Sequence, residues 1–436
     1  IAAAEKAPRI LCVIPNSGWR PEDVDHFKFC SDYEISGLKN HYRRYGLGVP
    51  LIAVRHCYEH EPAVAKYYPP NLSFPISAFL RPVSLNDPDT PPAYRGYDAV
   101  LELYDTMTVG DTRLGGRMVP IESDLTTPLA YFLSDPKLNT VATVGLLNPE
   151  KLFDLRPGVQ EEKQQIRGIY MVQPYDPNKI PVLMVHGLAS SPMTWMQMFN
   201  DLRASKEICE NYQIWFYLYP SAQPFWVSAA QLRDDLKELR ATIDPQHQQQ
   251  KLDEMVCIGH SMGGLVSRLQ TIDSENRFWQ LVSDVPFEQA KGDAELQQEV
   301  GKWLFFEPNP SVRRVVTIGT PHRGSEFSNG TTQWLSNTFI NLPGALTSYL
   351  GGFMHENSDL IRDDRLLQIH NSVQSLAPDS PFFPVMLASY HPPWVKYHNI
   401  VGVVPQKGIT GYLAGYGDGV VNYDSAHMED VESELV

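Results

Sequence analysis

A serine flanked by glycines is the feature of this sequence best suited to chemistry. Residues 259–264 read Gly-His-Ser-Met-Gly-Gly and directly follow a short apolar run that predicts a strand. Glycines two positions before and after Ser261 remove the Cβ atoms that would collide in a sharp strand-to-helix turn. We therefore predict Ser261 as a nucleophile held by Gly259 and Gly263. The alternative is an ordinary glycine-rich turn.

Backbone N–H groups near this serine are predicted to stabilise a developing oxyanion. Met262, the residue after the nucleophile, supplies one donor at the positive end of a helix dipole. A second donor is expected from the loop after an earlier strand. Residues 186–191, His-Gly-Leu-Ala-Ser-Ser, follow an apolar run, so we predict the N–H of Leu188 as this donor. His186 is predicted to be a buried support for the loop and not a catalytic base.

Three motifs in sequence order carry a family resemblance. The loop at 186–191 and the turn at 259–264 are followed by Gly-Thr-Pro-His-Arg-Gly-Ser at 319–325. Together they resemble the lipase and esterase branch of the α/β-hydrolase superfamily, and within it the GPI-inositol-deacylase-like lipases. The resemblance extends from about residue 170 to the end. It implies hydrolysis of small-molecule or lipid carboxylic esters through an acyl-serine intermediate without a cofactor, and a lipid substrate implies transient contact with a membrane surface.

The resemblance also implies an acid and a base. Asp418 stands in an Asp-Gly-Val-Val sequence that matches the family's acid, with Asp424 as the fallback and a solvated loop carboxylate as the other reading of Asp418. The order Ser, Asp, His requires a histidine after Asp418, and only His427 qualifies. Similar hydrolases carry a Ser-x-His loop at this point and place the catalytic histidine further on. We therefore expect the base beyond Val436, in a C-terminally incomplete domain, in preference to His427.

Other functions are compatible with the same residues. An amidase, a thioesterase or an acyltransferase could use the same serine chemistry. A noncatalytic binding protein that kept the fold but lost the base is the alternative from a different class. Reading the gene past the codon for Val436 would separate them: a histidine soon afterwards favours the enzyme, and a stop codon favours either His427 as base or a noncatalytic site.

The elements that must position these residues follow from alternating apolar and amphipathic segments after residue 166. Short apolar runs predict strands at 181–185, 212–219, 255–258, 315–318, 400–404 and 431–436. Helices are predicted to begin at Ser191-Pro192 and at a capping Ser228. Over residues 166–436 we predict an α/β-hydrolase fold, a mostly parallel sheet with helices on both faces.

Two regions depart from this pattern. Residues 1–165, rich in Pro and aromatic residues, predict a smaller β-containing N-terminal region of unknown role, with a strand at 99–104 and a hairpin turn at Gly115-Gly116. Insertions near 273–310 and 326–394 carry many large apolar side chains. These insertions predict either an apolar lid over an acyl chain or segments that pack on the core.

Composition limits the class of protein. The 436 residues are 43% hydrophobic, which excludes disorder throughout, and 36 basic against 51 acidic side chains give a net charge of −15. This charge opposes binding to nucleic acid. Five separated cysteines without a Cys-x-x-Cys pair indicate neither a zinc ribbon nor a disulfide scaffold, and the acidic clusters lack a metal-ligand spacing.

The sequence gives little evidence of a signal for export or membrane targeting. No apolar run is long enough to predict a membrane span. The sequence begins with Ile1 and an alanine-rich stretch. Processing of an exported precursor would explain that start.

Overall fold

The chain forms two compact units in the computed structural model, which describes residues 7–56, 63–83, 90–135, 167–326, 344–403, 418 and 420–436. The first unit comprises Ile1–Asn139, Met171–Lys179 and Trp195–Ile214; the second comprises Thr140–Tyr170, Ile180–Thr194 and Trp215–Val436. This division differs from the single boundary near residue 165 that composition predicts. Two segments of the hydrolase-like part of the sequence cluster with the N-terminal residues.

The described elements are numbered along the chain. The strands are β1 Ile10–Val13, β2 Val24–Phe29, β3 Arg43–Arg44, β4 Val49–Arg55, β5 Ser73–Pro82, β6 Ala99–Asp105, β7 Asp111–Leu114, β8 Arg117–Pro120, β9 Ser123–Asp124, β10 Gly168–Met171, β11 Ile180–Val185, β12 Tyr212–Leu218, β13 Met255–His260, β14 Val312–Ile318, β15 Lys396–Ile400 and β16 Ser433–Leu435. The α-helices are α1 Thr126–Leu133, α2 Met196–Leu202, α3 Lys206–Asn211, α4 Phe225–Ile243, α5 Met262–Arg268, α6 Ala294–Leu304, α7 Gly344–Glu356, α8 Ser372–Ser375, α9 Phe382–Ala388 and α10 Tyr423–Ala426.

The first unit contains a five-stranded mixed sheet in the order β1-β6-β5-β4-β2. β1 pairs parallel with β6, and the other neighbours pair antiparallel. β7 and β8 form a hairpin whose turn is Gly115-Gly116, both at positive φ. Ile52, Ile76 and Val100 are among the buried residues of the five-stranded sheet, because alternate side chains of a strand face one side of the sheet.

In the second unit, the candidate site lies at one edge of a set of parallel strands. The seven-stranded sheet has the order β10-β12-β11-β13-β14-β15-β16, and the four neighbouring pairs from β11 to β16 are parallel. The carboxyl ends of these strands therefore share an edge, where loops can gather functional groups. The last residues of the five strands are Val185, His260, Ile318, Ile400 and Leu435.

Several predicted boundaries differ from the structure. The strand predicted at 431–436 is confined to Ser433–Leu435, and the strand predicted at 315–318 begins at Val312. The strand predicted at 400–404 is β15, which ends at Ile400, and residues 401–403 follow it outside any strand. Ser228 does not cap a helix, because α4 begins at Phe225 directly after Pro224. Ser228 is a buried residue inside α4, where its Oγ accepts a hydrogen bond from Gln223 Nε2 at 2.9 Å. The buried aromatic start of α4 extends the helix one turn upstream of the serine.

Candidate active site

Ser261 occupies a strained turn between β13 and α5. Its backbone has φ 52° and ψ −125°, a conformation that non-glycine residues seldom adopt. The Ser261 N–H donates to the carbonyl oxygen of Ile318 at 2.9 Å, and its own carbonyl accepts from the Gly264 N–H at 2.9 Å. These bonds fix the turn, and the serine is half-buried at the end of the sheet.

The two glycines of the turn are required by close packing. A Cβ on Gly259 would collide with the carbonyl oxygen of Gly263 and lie 2.5 Å from the Cα of Gly264. A Cβ on Gly263 would collide with the carbonyl oxygens of Val185 and His186. Because these contacts are with backbone, they cannot be relieved by a side-chain rotation.

The loop after β11 passes directly against the serine turn. A Cβ on Gly187 would lie 3.0 Å from both the carbonyl oxygen of His260 and the Cβ of Ser261. Leu188 follows Gly187, and in the described part of the chain its N–H donates no hydrogen bond. Met262 is the first residue of α5, so its N–H has no acceptor within the helix. The two N–H groups predicted for an oxyanion thus belong to the loop after β11 and to the first residue of α5.

His186 is a buried residue of this loop, as predicted. Its ring is fully buried and stacks on Tyr219 with centroids 4.3 Å apart. Nδ1 lies 2.9 Å from the carbonyl oxygen of Gly187, and Nε2 accepts the Tyr219 N–H at 3.4 Å. Burial lowers the pKa of His186 to about 4, so the ring is neutral at physiological pH. Its contacts support the loop.

Asp418 lies beside the ends of β14 and β15. A Cβ on Gly319 would be 3.4 Å from Asp418 Oδ2, and a Cβ on Gly402 would be 3.2 Å from the Asp418 Cβ. Oδ1 accepts the backbone N–H groups of Val420 at 2.8 Å and Val421 at 2.7 Å. Within the residues that the structure describes, Oδ2 accepts no hydrogen bond. The carboxylate is therefore oriented through Oδ1.

The charge of Asp418 reaches the residue next to the serine. Desolvation lowers the pKa of His260, and the nearby Asp418 carboxylate opposes that shift. His260 is the last residue of β13 and precedes Ser261. Asp418 and Ser261 therefore lie at the same edge of the sheet.

His427 is held by the last strand. Its Nδ1 lies 2.7 Å from Oε1 of Glu434 in β16, and its ring stacks on Tyr423 with centroids 5.5 Å apart. Among the described residues, no hydrogen bond joins His427 to Ser261 or Asp418. The structure thus pairs the histidine with a different carboxylate from the acid that the sequence predicts.

The loop after β14 is fastened to the segment that carries His427. Arg323 Nη1 donates to the carbonyl oxygens of Asp424 at 3.0 Å and His427 at 2.6 Å. The Arg323 N–H donates to Ser425 Oγ at 3.3 Å, and that hydroxyl donates to the carbonyl oxygen of Gly324. Asp424, the fallback acid, enters these bonds through its backbone only.

Arg323, Glu434 and Asn399 have no role predicted from the sequence. Asn399 of β15 accepts from Thr317 Oγ1 at 2.7 Å and donates to Ala426 O and Glu434 Oε2, each at 2.8 Å. Arg323 lies inside the motif at 319–325, which is a detectable signal. Glu434 lies between Ser433 and Leu435 in the last strand, and nothing local in the sequence indicates its partners.

The apolar residues of the insertions pack inward where the structure describes them. Phe278 is fully buried and stacks on Phe382 and Phe306, with centroids 4.2 and 5.6 Å apart. Trp279 contacts Phe353 of α7 edge-on. Phe382 in turn stacks on Trp226 of α4, with centroids 4.6 Å apart. This contact favours packing on the core over a lid for the described part of the insertions. The predicted lid residues outside the described residues are Trp334, Leu335, Phe339, Ile340 and Leu342.

Neither a metal site nor a membrane span is present in the described part of the chain. Among the described residues, no group of three or more His, Cys, Asp and Glu side chains could hold a metal ion. None of the described helices is long and apolar enough to cross a membrane.

Comparison with known proteins agrees with the predicted resemblance. The family model described as the PGAP1-like alpha/beta domain matches residues 176–284, about a quarter of the chain. This segment contains Leu188 and Ser261, and the match to an alpha/beta domain family agrees with the α/β organisation predicted for this part of the sequence. No curated protein sequence matches significantly.

Solved structures similar to the chain include several named lipases and esterases. Mature lipase BlEst2 from Bacillus licheniformis is 20% identical, covers 60% of this chain and 85% of its own, and has a TM-score of 0.29. EstA from Clostridium botulinum is 15% identical, with 59% and 76% covered and a TM-score of 0.32. Lipase 1 from Pelosinus fermentans is 14% identical, with 59% and 87% covered and a TM-score of 0.28.

Proposed function

We propose that this protein is a serine hydrolase that cleaves carboxylic esters, with lipid acyl esters as the natural class, through an acyl-serine intermediate. The observation that carries the proposal is the backbone of Ser261, held at positive φ between a parallel strand and a helix. This turn presents a hydroxyl at the carboxyl edge of the sheet. A residue accepts such strain when the surrounding structure enforces it, and functional sites are where this is found.

The oxyanion that forms after attack by Ser261 would be held by the N–H groups of Leu188 and Met262. Support comes from the close passage of the Gly187 backbone against the serine turn. Both N–H groups belong to backbone that is in place before the substrate arrives. Loss of one such donor commonly costs about 10²–10³ in turnover.

Asp418 is proposed as the acid that orients the base. One of its oxygens accepts two backbone N–H groups, and the other is directed toward Gly319. A histidine that donates Nδ1–H to Oδ2 would keep Nε2 for the proton of the serine. The imidazolium that forms during attack would be stabilised by the same carboxylate.

The base itself is proposed to lie beyond Val436. β16 pairs parallel with β15, with Leu435 opposite Ile400, and the Val401 N–H donates to the Leu435 carbonyl at 2.8 Å. The chain at Val436 therefore runs toward the edge that holds Asp418. His427 is the alternative base, but its Nδ1 is paired with Glu434 and not with Asp418, the proposed acid.

The first experiment measures hydrolysis of p-nitrophenyl esters of graded acyl length by the 436-residue chain and by the full gene product, here termed the extended chain. We expect activity that Ser261→Ala abolishes, with a melting temperature unchanged. Ser134→Ala is the matched control, since Ser134 is exposed and its Oγ donates to Tyr131 O at the end of its own helix. Activity near wild type in Ser261→Ala contradicts the nucleophile assignment.

The same assay decides the base. Activity only in the extended chain supports a histidine beyond Val436, whereas activity in both chains that His427→Gln removes assigns the base to His427. Anilide and thioester substrates, and an alcohol acceptor in the ester assay, test the amidase, thioesterase and acyltransferase alternatives. Absence of turnover with every substrate in both chains favours the noncatalytic binding protein.

A further inference from the structure

A cavity of about 140 Å³ lies within the first unit. None of its lining residues is one that we propose for the serine chemistry. Its wall is formed by the segment around Trp19, the start of β5, the end of β6, residues 172–179 and the α2–α3 region. Every one of its lining residues belongs to that unit. A cavity of about 150 Å³ is large enough to hold a benzene-sized molecule.

Arg203 lines this cavity, and two of its guanidinium nitrogens lack a hydrogen-bond acceptor among the described residues. The residue follows α2, is only 6% exposed, and lays its guanidinium over the Phe199 ring at 5.2 Å. Its Nε and Nη2 are fully buried and have no hydrogen-bond partner in the part of the chain that the structure describes. Burial lowers the pKa of Arg203 to about 10, which leaves the group charged at neutral pH.

Neither of the two carboxylates in the cavity wall bonds to Arg203 in the described part of the chain. Asp176 Oδ1 accepts from the backbone N–H and the Nδ2 of Asn178, at 2.9 and 3.1 Å. Asp105 is buried, but Oδ2 accepts from Ser17 Oγ at 2.8 Å and Oδ1 accepts from the Met107 N–H at 3.0 Å. Asp105 attracts Arg203 through space without bonding to it. Lys179 adds a second cation to the wall. A buried cation without a partner is costly, and an anionic ligand would remove that cost.

The rest of the wall indicates the body of the ligand. Trp19 and Phe74 are buried and stack with centroids 4.8 Å apart, and Pro174 and Pro177 complete an apolar side. An inorganic oxyanion would leave this surface without a contact. A carboxylate on a compact apolar or aromatic body would satisfy Arg203 at one end and fill the apolar side at the other.

We propose that the first unit binds a small organic carboxylate in this cavity, with the carboxylate on Arg203 and Lys179 and the apolar body against Trp19 and Phe74. The proposal assigns a ligand site to residues outside the motifs predicted for the serine chemistry. It stands independently of the ester hydrolysis proposed for Ser261.

Titration calorimetry of the full chain with benzoate tests the site, in chloride buffer of constant ionic strength. Benzoate is expected to bind once per chain, and benzamide, which has the same shape without the charge, is expected to bind at least roughly tenfold more weakly. Inorganic phosphate supplies the charge without the apolar body and is also expected to bind more weakly. Retained benzoate binding in Ser261→Ala separates this site from the serine.

Three variants locate the binding. Arg203→Met removes the charge and keeps an unbranched apolar side chain, so it should weaken benzoate roughly tenfold or more, while Lys179→Met should weaken it by a smaller factor. Lys206→Met is the matched control, because Lys206 is an exposed lysine whose ion pair is with Glu210 at 3.5 Å, and it should leave the affinity unchanged. Arg203→Met should melt no lower than the wild type in chloride, since it removes a buried charge whose hydrogen-bonding capacity is unmet.

Several results would overturn the proposal. Absence of benzoate binding to the wild type, equal binding of benzamide, or unchanged affinity in both Arg203→Met and Lys179→Met each contradicts an anion site in this cavity. Phosphate that binds more tightly than benzoate contradicts the apolar body. If Arg203→Met does not fold, the benzoate and benzamide comparison and Lys179→Met still decide the outcome.

Discussion

Ser261 keeps a backbone conformation that costs about 1–3 kcal/mol, and the residues around it explain how that strain persists. Two backbone hydrogen bonds hold the turn from either side. Three surrounding glycines leave room for backbone atoms to approach where a Cβ would collide. The strained residue is thus fixed by backbone contacts, which a substrate cannot disturb, and its hydroxyl is presented without rearrangement.

Gly263→Ala is expected to destabilise the second unit although it adds only one methyl group. That methyl group would collide with the carbonyl oxygens of Val185 and His186 and force the serine turn away from β11. Overpacking of this kind costs about 1–3 kcal/mol or more. A lower melting temperature and loss of esterase activity together are the expected results.

Gly352→Ala is the control for the glycine substitution. Gly352 lies in α7, is exposed, and would have no heavy atom within 4 Å of an added Cβ. Alanine favours a helix by about 1 kcal/mol over glycine, so this variant should be as stable as the wild type or more so. An unchanged melting temperature in Gly263→Ala would count against a turn closed by backbone packing.

His186 should make the stability of the second unit sensitive to acid. Its pKa is about 4 in the folded state against an ordinary value of 6.5, so the unfolded chain takes up the proton first as pH falls. The contribution is fully present above about pH 6.5 and is lost between there and about pH 4. Urea unfolding near pH 7.5 and near pH 4.5 should show about 2.5 kcal/mol of loss that His186→Gln lacks.

The control for this pH effect is His355→Gln, which removes an exposed histidine from α7. This variant should lose as much stability on acidification as the wild type. Equal pH dependence in wild type and His186→Gln would show that His186 is protonated in the folded chain. The comparison uses differences between variants, so other titrating groups cancel.

The serine turn could be predicted from sequence because its determinants are local. The turn needs residues without a Cβ on both sides of the serine, and the glycines two residues before and after Ser261 lie within five positions of the sequence. The pairing of His427 with Glu434 could not be predicted, because it depends on β16 lying beside β15. Register between strands is set by long-range packing that no short motif records.

At the scale of elements, Asn399 joins three neighbouring strands and a helix. Its amide accepts from Thr317 in β14 and donates to Glu434 in β16 and to Ala426 in α10. The residue is 1% exposed, so its partners have no water to replace it. This buried amide therefore anchors the segment before β16 at Ala426, in addition to the bonds that Arg323 makes to the same segment.

Asn399→Ala is expected to lower the free energy of unfolding by about 2–3 kcal/mol, because it leaves buried donors and acceptors without partners. Thr317→Val should cost less, and the double variant should show a coupling of about 1 kcal/mol. Urea unfolding of the four proteins measures this cycle. Lys396→Ala, at the exposed start of β15, removes an ion pair with Glu432 and should change stability by less than about 1 kcal/mol. Strict additivity of the two buried substitutions would refute the bridge between β14 and β15.

Element boundaries were predicted less well than element types. The strand expected at 400–404 lies at Lys396–Ile400. Its Lys, His and Asn residues do not look like those of a buried strand. They are accommodated because their side chains form an ion pair and hydrogen bonds with residues in and beside β16. The helix expected at Ser228 begins earlier because Pro224 sets its start and buried aromatic side chains pack there. In both cases tertiary contacts override a local signal.

At the scale of the whole molecule, the division into units could not be predicted from composition. Residues 171–179 and 195–214 cluster with the N-terminal residues although they lie inside the hydrolase-like sequence. A change in composition along the chain indicates one boundary. It does not indicate that later segments of the chain pack with the N-terminal residues. The cavity at Arg203 belongs to a unit assembled from three separate segments, which is why no sequence motif indicates it.

The net charge of −15 predicts how the chain meets a lipid surface. Anionic vesicles should repel it at about 10 mM salt, where the Debye length is about 30 Å, and the repulsion should fade at about 150 mM, where that length is about 8 Å. Co-sedimentation of Ser261→Ala with phosphatidylcholine vesicles, with and without phosphatidylserine, measures this without hydrolysis. We expect binding to the anionic vesicles to be the weaker at low salt and the difference to close as salt rises. Preferential binding to anionic vesicles at low salt would instead require a local basic surface that outweighs the charge of the whole chain.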